Sequence, residues 1–283
     1  MDTMFGLLIS GILACVVCFG IYSSIIERFW FRIQHVRIPI VRLPKPFSQF
    51  RIVLISDIHM GFFFSQKHFR SVVEEINKLH PDMICFAGDL LDSDSCVASM
   101  GSTIPLLRKL AAPYGKFAIL GNHDYRAGIQ HVVSGLEKGG FRVLINEHTV
   151  IQKDAEVMFI VGLDDILKGK PNPEQAFEGI PEDACTLLLV HEPDFADVSK
   201  KLPIQLQLSG HSHGGQVRIP FIGPIVTTKF GRKYVSNLYH FDSFKLYTSR
   251  GIGTTGLPVR FCCRPEITVI TLEQNSEIVT YIK

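Results

Sequence analysis

Short apolar runs alternate with amphipathic segments along most of this chain. Residues 51–56 and 83–87 are continuous apolar stretches of strand length, and 117–120 is a third. Between them, residues 67–79 place Phe69, Val72, Val73, Ile76 and Leu79 on one face at helical spacing, with Ser65 as the candidate N-cap and Pro81 as a stop. A second amphipathic stretch covers 103–110, and a third, 129–136, ends at Gly139-Gly140. This β-α-β-α-β order predicts parallel strands whose carboxyl ends face a ligand crevice. The later chain is richer in strands: 157–163, 186–191, 204–208, 217–219, 244–249 and 267–272 are short, β-branched and punctuated by Gly or Pro. The pattern predicts an α/β fold in one soluble domain.

The N-terminal pattern is different. Residues 4–26 carry no charge, and at ~1.5 Å per residue they reach roughly 34 Å, enough to cross bilayer hydrocarbon. A cleaved signal peptide needs a basic start and a shorter apolar run, whereas only Asp2 precedes this one. Arg28, Arg32, Arg37, Arg42 and Lys45 follow it and no Lys or Arg precedes it, which predicts a single-pass anchor with the C-terminal side in the cytoplasm. Trp30, between Phe29 and Phe31, is expected at headgroup level with the arginines against anionic lipid. The resulting layout is an anchor at 4–26, a basic juxtamembrane linker at 27–48 and a soluble domain at 49–283.

Composition narrows the partners. A net charge of +2 over 283 residues gives no global field for nucleic acid. Seven cysteines, an odd number without framework spacing, point to a reducing compartment, and Cys15-x-x-Cys18 lies in an apolar run unsuited to redox or metal chemistry.

Five polar clusters punctuate strand ends: Asp57-Ile58-His59, Gly88-Asp89, Gly121-Asn122-His123-Asp124, His191 and Gly210-His211-Ser212-His213. On an extended strand end, residues two apart point to one side, so Asp57 and His59 can converge on one ion. Gly88 allows close approach of backbone or ligand beside Asp89. Each cluster alone is compatible with an ordinary polar loop, and His191 alone with a satisfied core histidine. Their donor atoms together suffice for two divalent cations. Mixed oxygen and nitrogen donors suit Mn, Fe or Zn.

The order and spacing of the five clusters resemble the calcineurin-like metallophosphoesterase family over residues 51–272. The resemblance implies a two-sheet sandwich flanked by helices, here with one N-terminal transmembrane helix, and two metal ions, Mn favoured, that activate water so that no protein nucleophile is needed. Carried over, Asp57, His59 and His213 would hold one metal, Asn122, His191 and His211 the other, and Asp89 would bridge them. His123 would stand beside the substrate phosphate and protonate the leaving oxygen, with Asp124 as its orienting partner.

The anchor and Arg250-Gly251-Ile252-Gly253, followed by Thr254-Thr255-Gly256, resemble the membrane-anchored branch that contains the UDP-2,3-diacylglucosamine pyrophosphatases of lipid A synthesis, which release UMP and a diacylglucosamine 1-phosphate. The Gly-rich turn is expected near the site, without a role for Arg250. Residues 214–239 interleave Phe221, Ile222, Ile225, Phe230 and Tyr234 with Lys229, Arg232 and Lys233, a mix suited to a phosphorylated amphiphile or to a plain hairpin with a solvated face. Hydrolysis of a lipid-linked phosphodiester or pyrophosphate at the inner membrane is therefore the leading expectation. Its rivals are a general phosphodiesterase or phosphatase acting on soluble esters, and a non-catalytic scaffold.

Overall fold

The computed structural model describes residues 2–274, so the domain limit placed at 283 lies outside the described residues. The chain begins with α1 (Asp2–Ile21), which continues through one π turn (Tyr22–Ile26) and one 3-10 turn (Glu27–Phe29) into β1 (Arg32–Ile40). Then come β2 (Arg51–Ile55), α2 (Gln66–Lys78), β3 (Met83–Ala87), α3 (Met100–Lys109) and β4 (Lys116–Ile119). After α4 (Asn122–Ala127) and α5 (Ile129–Lys138) the chain forms β5 (Arg142–Val143), β6 (Glu147–Lys153), β7 (Glu156–Gly162) and α6 (Pro173–Ala176). The last third carries β8 (Thr186–Leu189), α7 (Ala196–Ser199), β9 (Leu206–Ser209) and the small hairpin β10 (Arg218–Ile219) and β11 (Gly223–Pro224). It closes with β12 (Asn237–His240), β13 (Lys245–Thr248) and β14 (Glu266–Gln274).

Two six-stranded sheets face each other, in the orders β1-β14-β2-β3-β4-β5 and β12-β13-β9-β8-β7-β6. As the alternation predicts, β2, β3 and β4 are parallel, and so are β7, β8, β9 and β13. Period 2 then sorts their side chains into layers. Ile52, Leu54, Cys85 and Ile119 meet Ile160, Leu187 and Leu208 between the sheets, while Val53, Ile55, Phe86 and Ala118 turn outward onto Phe69, Val72, Ile76 and Leu136 of the helices. Strands buried on both faces explain why they read as unbroken apolar runs. Ser65 occupies the N-cap position of α2, but its hydroxyl meets His68 Nδ1 at 3.1 Å and caps no backbone N–H.

The stretch assigned to a basic linker is instead part of the fold. β1 pairs in parallel with β14, and Ile38, Ile40, Leu43 and Phe47 are buried in the inter-sheet core. Its arginines are engaged by the protein: Arg32 donates to Glu266 at 2.7 Å, the exposed Arg37 to Glu273 at 2.6 Å, and Arg28 is buried. An edge position tolerates Pro39 and lets basic residues ride on the open side, which disguises the strand in sequence. The apolar helix itself is long and apolar enough to cross a membrane, and none of its most apolar window is buried. The described cysteines are all free thiols.

Candidate metal centre

The loops that leave β2, β3, β4, β8 and β9 at their carboxyl ends bring all five polar clusters into one buried site. Asp57, His59, Asp89, Asn122, His191, His211 and His213 are each 5 % exposed or less. Their convergence is achieved differently from simple strand alternation. Asp57, His59, Asp89, His211 and His213 all have positive φ, between 48° and 68°, a region uncommon for residues with a Cβ. Ladder-like bonds between adjacent loops hold this backbone, with Asp57 N on Gly88 O and both Ile58 N and His59 N on Asp89 O. Such strain persists where surrounding structure over-determines it, and it clusters at functional sites.

Three groups of donors have ligand atoms within 4.8 Å of one another: Asp57, His59 and His213; Asp89, His191 and His211; and a less buried group, His59, Asp92 and His123, that shares His59 with the first. In the first, His59 Nε2 lies 3.1 Å from His213 Nε2, which in turn lies 3.5 Å from Asp57 Oδ1. In the second, His191 Nε2 lies 3.2 Å from Asp89 Oδ2. The same Oδ2 is 3.6 Å from His59 Nε2, so one carboxylate oxygen stands between the first two groups.

The outer nitrogens are already committed. His191 Nδ1 donates to Ala87 O at 2.6 Å and His211 Nε2 to Lys229 O at 2.8 Å, which sets the tautomers and leaves the opposite ring nitrogens as acceptors. Asn122 Oδ1 is buried without a hydrogen-bond partner among the described residues. Orphaned acceptors, paired imidazoles and a shared carboxylate fit two divalent cations and fit a purely structural polar core poorly. Charge agrees: burial alone would raise Asp89, yet the charge and bonding of His191, with His59 and His123, hold its carboxyl well below the usual range. Burial holds His213 well below the ordinary imidazole value and brings His211 to about 3, so both stay neutral, as ligands must, whereas the bond to Asp92 with the Asp89 and Asp57 charges raises His59, and Asp89 raises His191, both against burial.

Gly88 and Gly121 are required by this closeness. A Cβ on Gly88, whose φ is +90°, would lie 2.7 Å from Gly121 N and His191 Nδ1, and one on Gly121 would strike Asp89 and the His191 ring.

Around the donors stand residues that the motif reading passed over. His123 donates Nδ1–H to Asp92 O at 2.7 Å, and Asp92 Oδ1 lies 3.2 Å from His59 Nδ1. The available signal was an acid three residues past Asp89. Arg126 Nη1 and Thr255 Oγ1 each lie 3.4 Å from His123 Nε2, the half-buried side of the ring. Arg260 is wholly buried and donates to the carbonyls of His213, Arg250, Gly251, Gly253 and Cys263. It pins the Gly-rich turn, whose Gly253 N donates to Asp57 O at 2.7 Å, so that turn does reach the site.

Asp124 corrects an expectation. Its carboxylate does not touch His123; it accepts N–H groups from Gly121, Asp89, Leu90 and Leu91 at 2.8 to 3.3 Å. Burial and neighbouring Asp89 push it up to about 7 against those bonds. Of the basic residues in 214–239, Lys233 is engaged with Asp197 at 2.8 Å. The apolar members fare differently: Phe221, Ile222, Ile225 and Val226 are exposed, and Val217, Val226, Leu257 and Val259 line a cavity of about 380 Å³ that opens beside His213.

Comparison with known proteins follows the same lines. A family model described as calcineurin-like phosphoesterase matches residues 50–215, more than half of the chain. The metallophosphoesterase YkuE of Bacillus subtilis is 38 % identical over 275 residues, covering 96 % of both chains. The phosphodiesterase YaeI of Escherichia coli is 30 % identical over 255 residues, 89 % of this chain and 92 % of that one. A transmembrane protein with metallophosphoesterase domain from Danio rerio is 29 % identical, across 96 % of this chain and 63 % of its own.

Proposed function

The chain belongs to the calcineurin-like phosphoesterase family and is a metal-dependent phosphoester hydrolase, and from that premise we propose that it cleaves a phosphodiester or pyrophosphate bond of a lipid-linked substrate at the cytoplasmic face of the inner membrane. The observation that carries the catalytic part is Asp89 Oδ2, shared between His59 and His191. Asp57, His59 and His213 would hold one cation and Asn122, His191 and His211 the other, with Asp89 available to both. When bound, the pair supplies Lewis-acid polarisation of the phosphoryl oxygens and a water made acidic enough to attack at neutral pH. Mn²⁺ is the favoured occupant.

The protein's own groups then orient and finish the reaction. His123, held through Nδ1–H on Asp92 O, keeps Nε2 beside Arg126 and Thr255; as the imidazolium it would give its Nε2 proton to the leaving oxygen and return to the neutral ring. Arg126 stands on the same side and can donate to the non-reacting phosphate oxygens. Asp92 holds the ring of His59 and the ring of His123 in one arrangement.

The lipid part is supported by the apolar cavity beside His213 and by the N-terminal apolar helix, and the names of the Escherichia coli and Danio rerio relatives speak for a diester and for a membrane setting. UDP-2,3-diacylglucosamine is the specific candidate. Purified enzyme with Mn²⁺ should hydrolyse it faster than a soluble aryl phosphodiester. Preference for the soluble ester by orders of magnitude would reject the lipid reading and leave a general phosphodiesterase. No turnover of either, with well under two ions per chain, would leave a scaffold.

A further inference from the structure

The apolar helix leaves no slack between bilayer and catalytic domain. The 20 residues of α1 extend about 30 Å, the thickness of bilayer hydrocarbon. From its last turn onward the domain grips the chain. Phe19 and Tyr22 pack on the Phe261 ring at 4.8 and 6.3 Å, and Arg260 N donates to Ser23 O at 2.9 Å. The Glu27 carboxylate accepts from Cys262 N and Cys263 N at 3.0 and 2.6 Å. The Arg28 guanidinium donates to Pro258 O and to Phe63 O.

Three loops therefore meet the helix exit. Residues 61–64 reach it through Phe63, residues 254–259 through Pro258, and the β10–β11 hairpin through Phe261, whose N and O bond Gln216 and Arg218. Each loop turns a large apolar side chain outward: Phe62 is 92 % exposed, Ile222 76 % and Leu257 71 %, and Phe221 at the hairpin tip is fully exposed. Trp30, half exposed beneath the Arg264 guanidinium at 3.9 Å, completes the ring. Scattered exposed apolar residues are ordinary, but several on separate loops around one membrane-length helix are not. Aromatic side chains and arginine at one level are the composition of a membrane interface.

We propose that these three loops form a collar that dips into the interfacial layer of the bilayer crossed by α1, seating Phe62, Phe221, Ile222 and Leu257 at the headgroup–acyl boundary. The collar also carries the site. Leu257 shares a loop with Thr255, which lies 3.4 Å from His123 Nε2, and Gln216 links both through Thr255 N and Leu257 O. Docking thus fixes the metal centre at the headgroup plane. The proposal rests on α1 lying in a bilayer.

The full chain in proteoliposomes tests this. Trp30, the sole tryptophan, is replaced by Phe, and single tryptophans are introduced as Phe62→Trp, Phe221→Trp, Leu8→Trp and Val157→Trp, the last at the end of β7 away from the metal centre. Wild-type turnover of a soluble ester certifies that each variant is folded. With lipids brominated near the glycerol end, Phe62→Trp and Phe221→Trp should lose roughly half or more of their emission, as groups at the boundary do, and Val157→Trp none. Quenching at Leu8→Trp alone would overturn the collar while keeping the anchor. No quenching at Leu8→Trp would overturn both, and quenching at Val157→Trp equal to that at Phe221→Trp would also sink the proposal.

Discussion

His123 Nδ1 lies 2.7 Å from the backbone carbonyl of Asp92, an arrangement that commits Nδ1 and leaves Nε2 beside Arg126 and Thr255. A ring so fixed can serve a leaving group without holding a metal. His123→Asn should lower kcat by about 10² to 10⁴, the usual worth of a positioned acid or base, with metal content unchanged. The loss should grow as the leaving group becomes more basic. A series of aryl esters checks this, and an unchanged dependence on leaving-group pKa would remove the proton-transfer role.

The Asp92 carboxylate acts through another ligand, at 3.2 Å from His59 Nδ1. Removing such an outer partner typically costs about 10- to 100-fold in metal affinity or activity. Asp92→Ala is expected to weaken binding of one Mn²⁺ by that factor, read by metal titration, and added metal should recover turnover. Asp92→Asn, which keeps an acceptor, should lose less.

The three parallel strands and their helices were legible because Ile52 to Ile55, Met83 to Ala87 and the Phe69–Ile76 face obey period 2 and period 3.6 with almost no polar interruption. β1 was not, since Arg32, Arg37 and Pro39 sit where an edge strand can afford them. The donor residues were legible as types and order, but not their geometry: positive φ at Asp57, His59 and Asp89 has no signature in those residues themselves, only in glycines nearby. Arg260 was invisible for a further reason. A buried arginine satisfied by main-chain carbonyls has no partner side chain to betray it, and compositional priors place arginine outside.

In the proposed assignment Asn122 and His191 serve the same cation, so their removal should have matching effects. Asn122→Ala and His191→Ala are each expected to purify with about one ion per chain and to lose nearly all turnover, because both metals flank the reacting phosphoryl group. Elemental analysis with circular dichroism as a fold check decides it. Two retained ions would contradict the assignment.

Asp197 ties the basic segment to α7: it accepts from Lys200 and Lys233 at 2.8 Å and from Tyr234 at 3.0 Å, and the bonds to Lys200 and Lys233 bring its carboxyl down to about 2. A depressed carboxyl stabilises the fold above its unfolded pKa, about 3.9, and the benefit disappears as pH falls from there through 2. Asp197→Asn should lower Tm slightly at neutral pH, within the small range of solvent-screened pairs, and leave Tm near pH 2 unchanged. A constant difference across that window would show that packing, not charge, carries the effect.

Asp124 separates a structural role from a catalytic one. Its buried carboxylate accepts four backbone N–H groups of the loops that carry Asp89 and Asn122. Asp124→Ala strands those donors at about 1 to 3 kcal/mol for each that finds no water, a sum comparable with a typical folding free energy, so poor yield or a steep fall in Tm is expected. Asp124→Asn retains the shape and one acceptor oxygen but turns an NH₂ toward N–H groups. It should fold with a lowered Tm and keep most of its kcat per folded molecule. Were Asp124 instead the orienting partner of His123, Asp124→Asn would reproduce the kcat loss and leaving-group dependence of His123→Asn with little change in Tm. The two outcomes differ in both observables, and the four backbone N–H groups already bonded to the Asp124 carboxylate argue for the first.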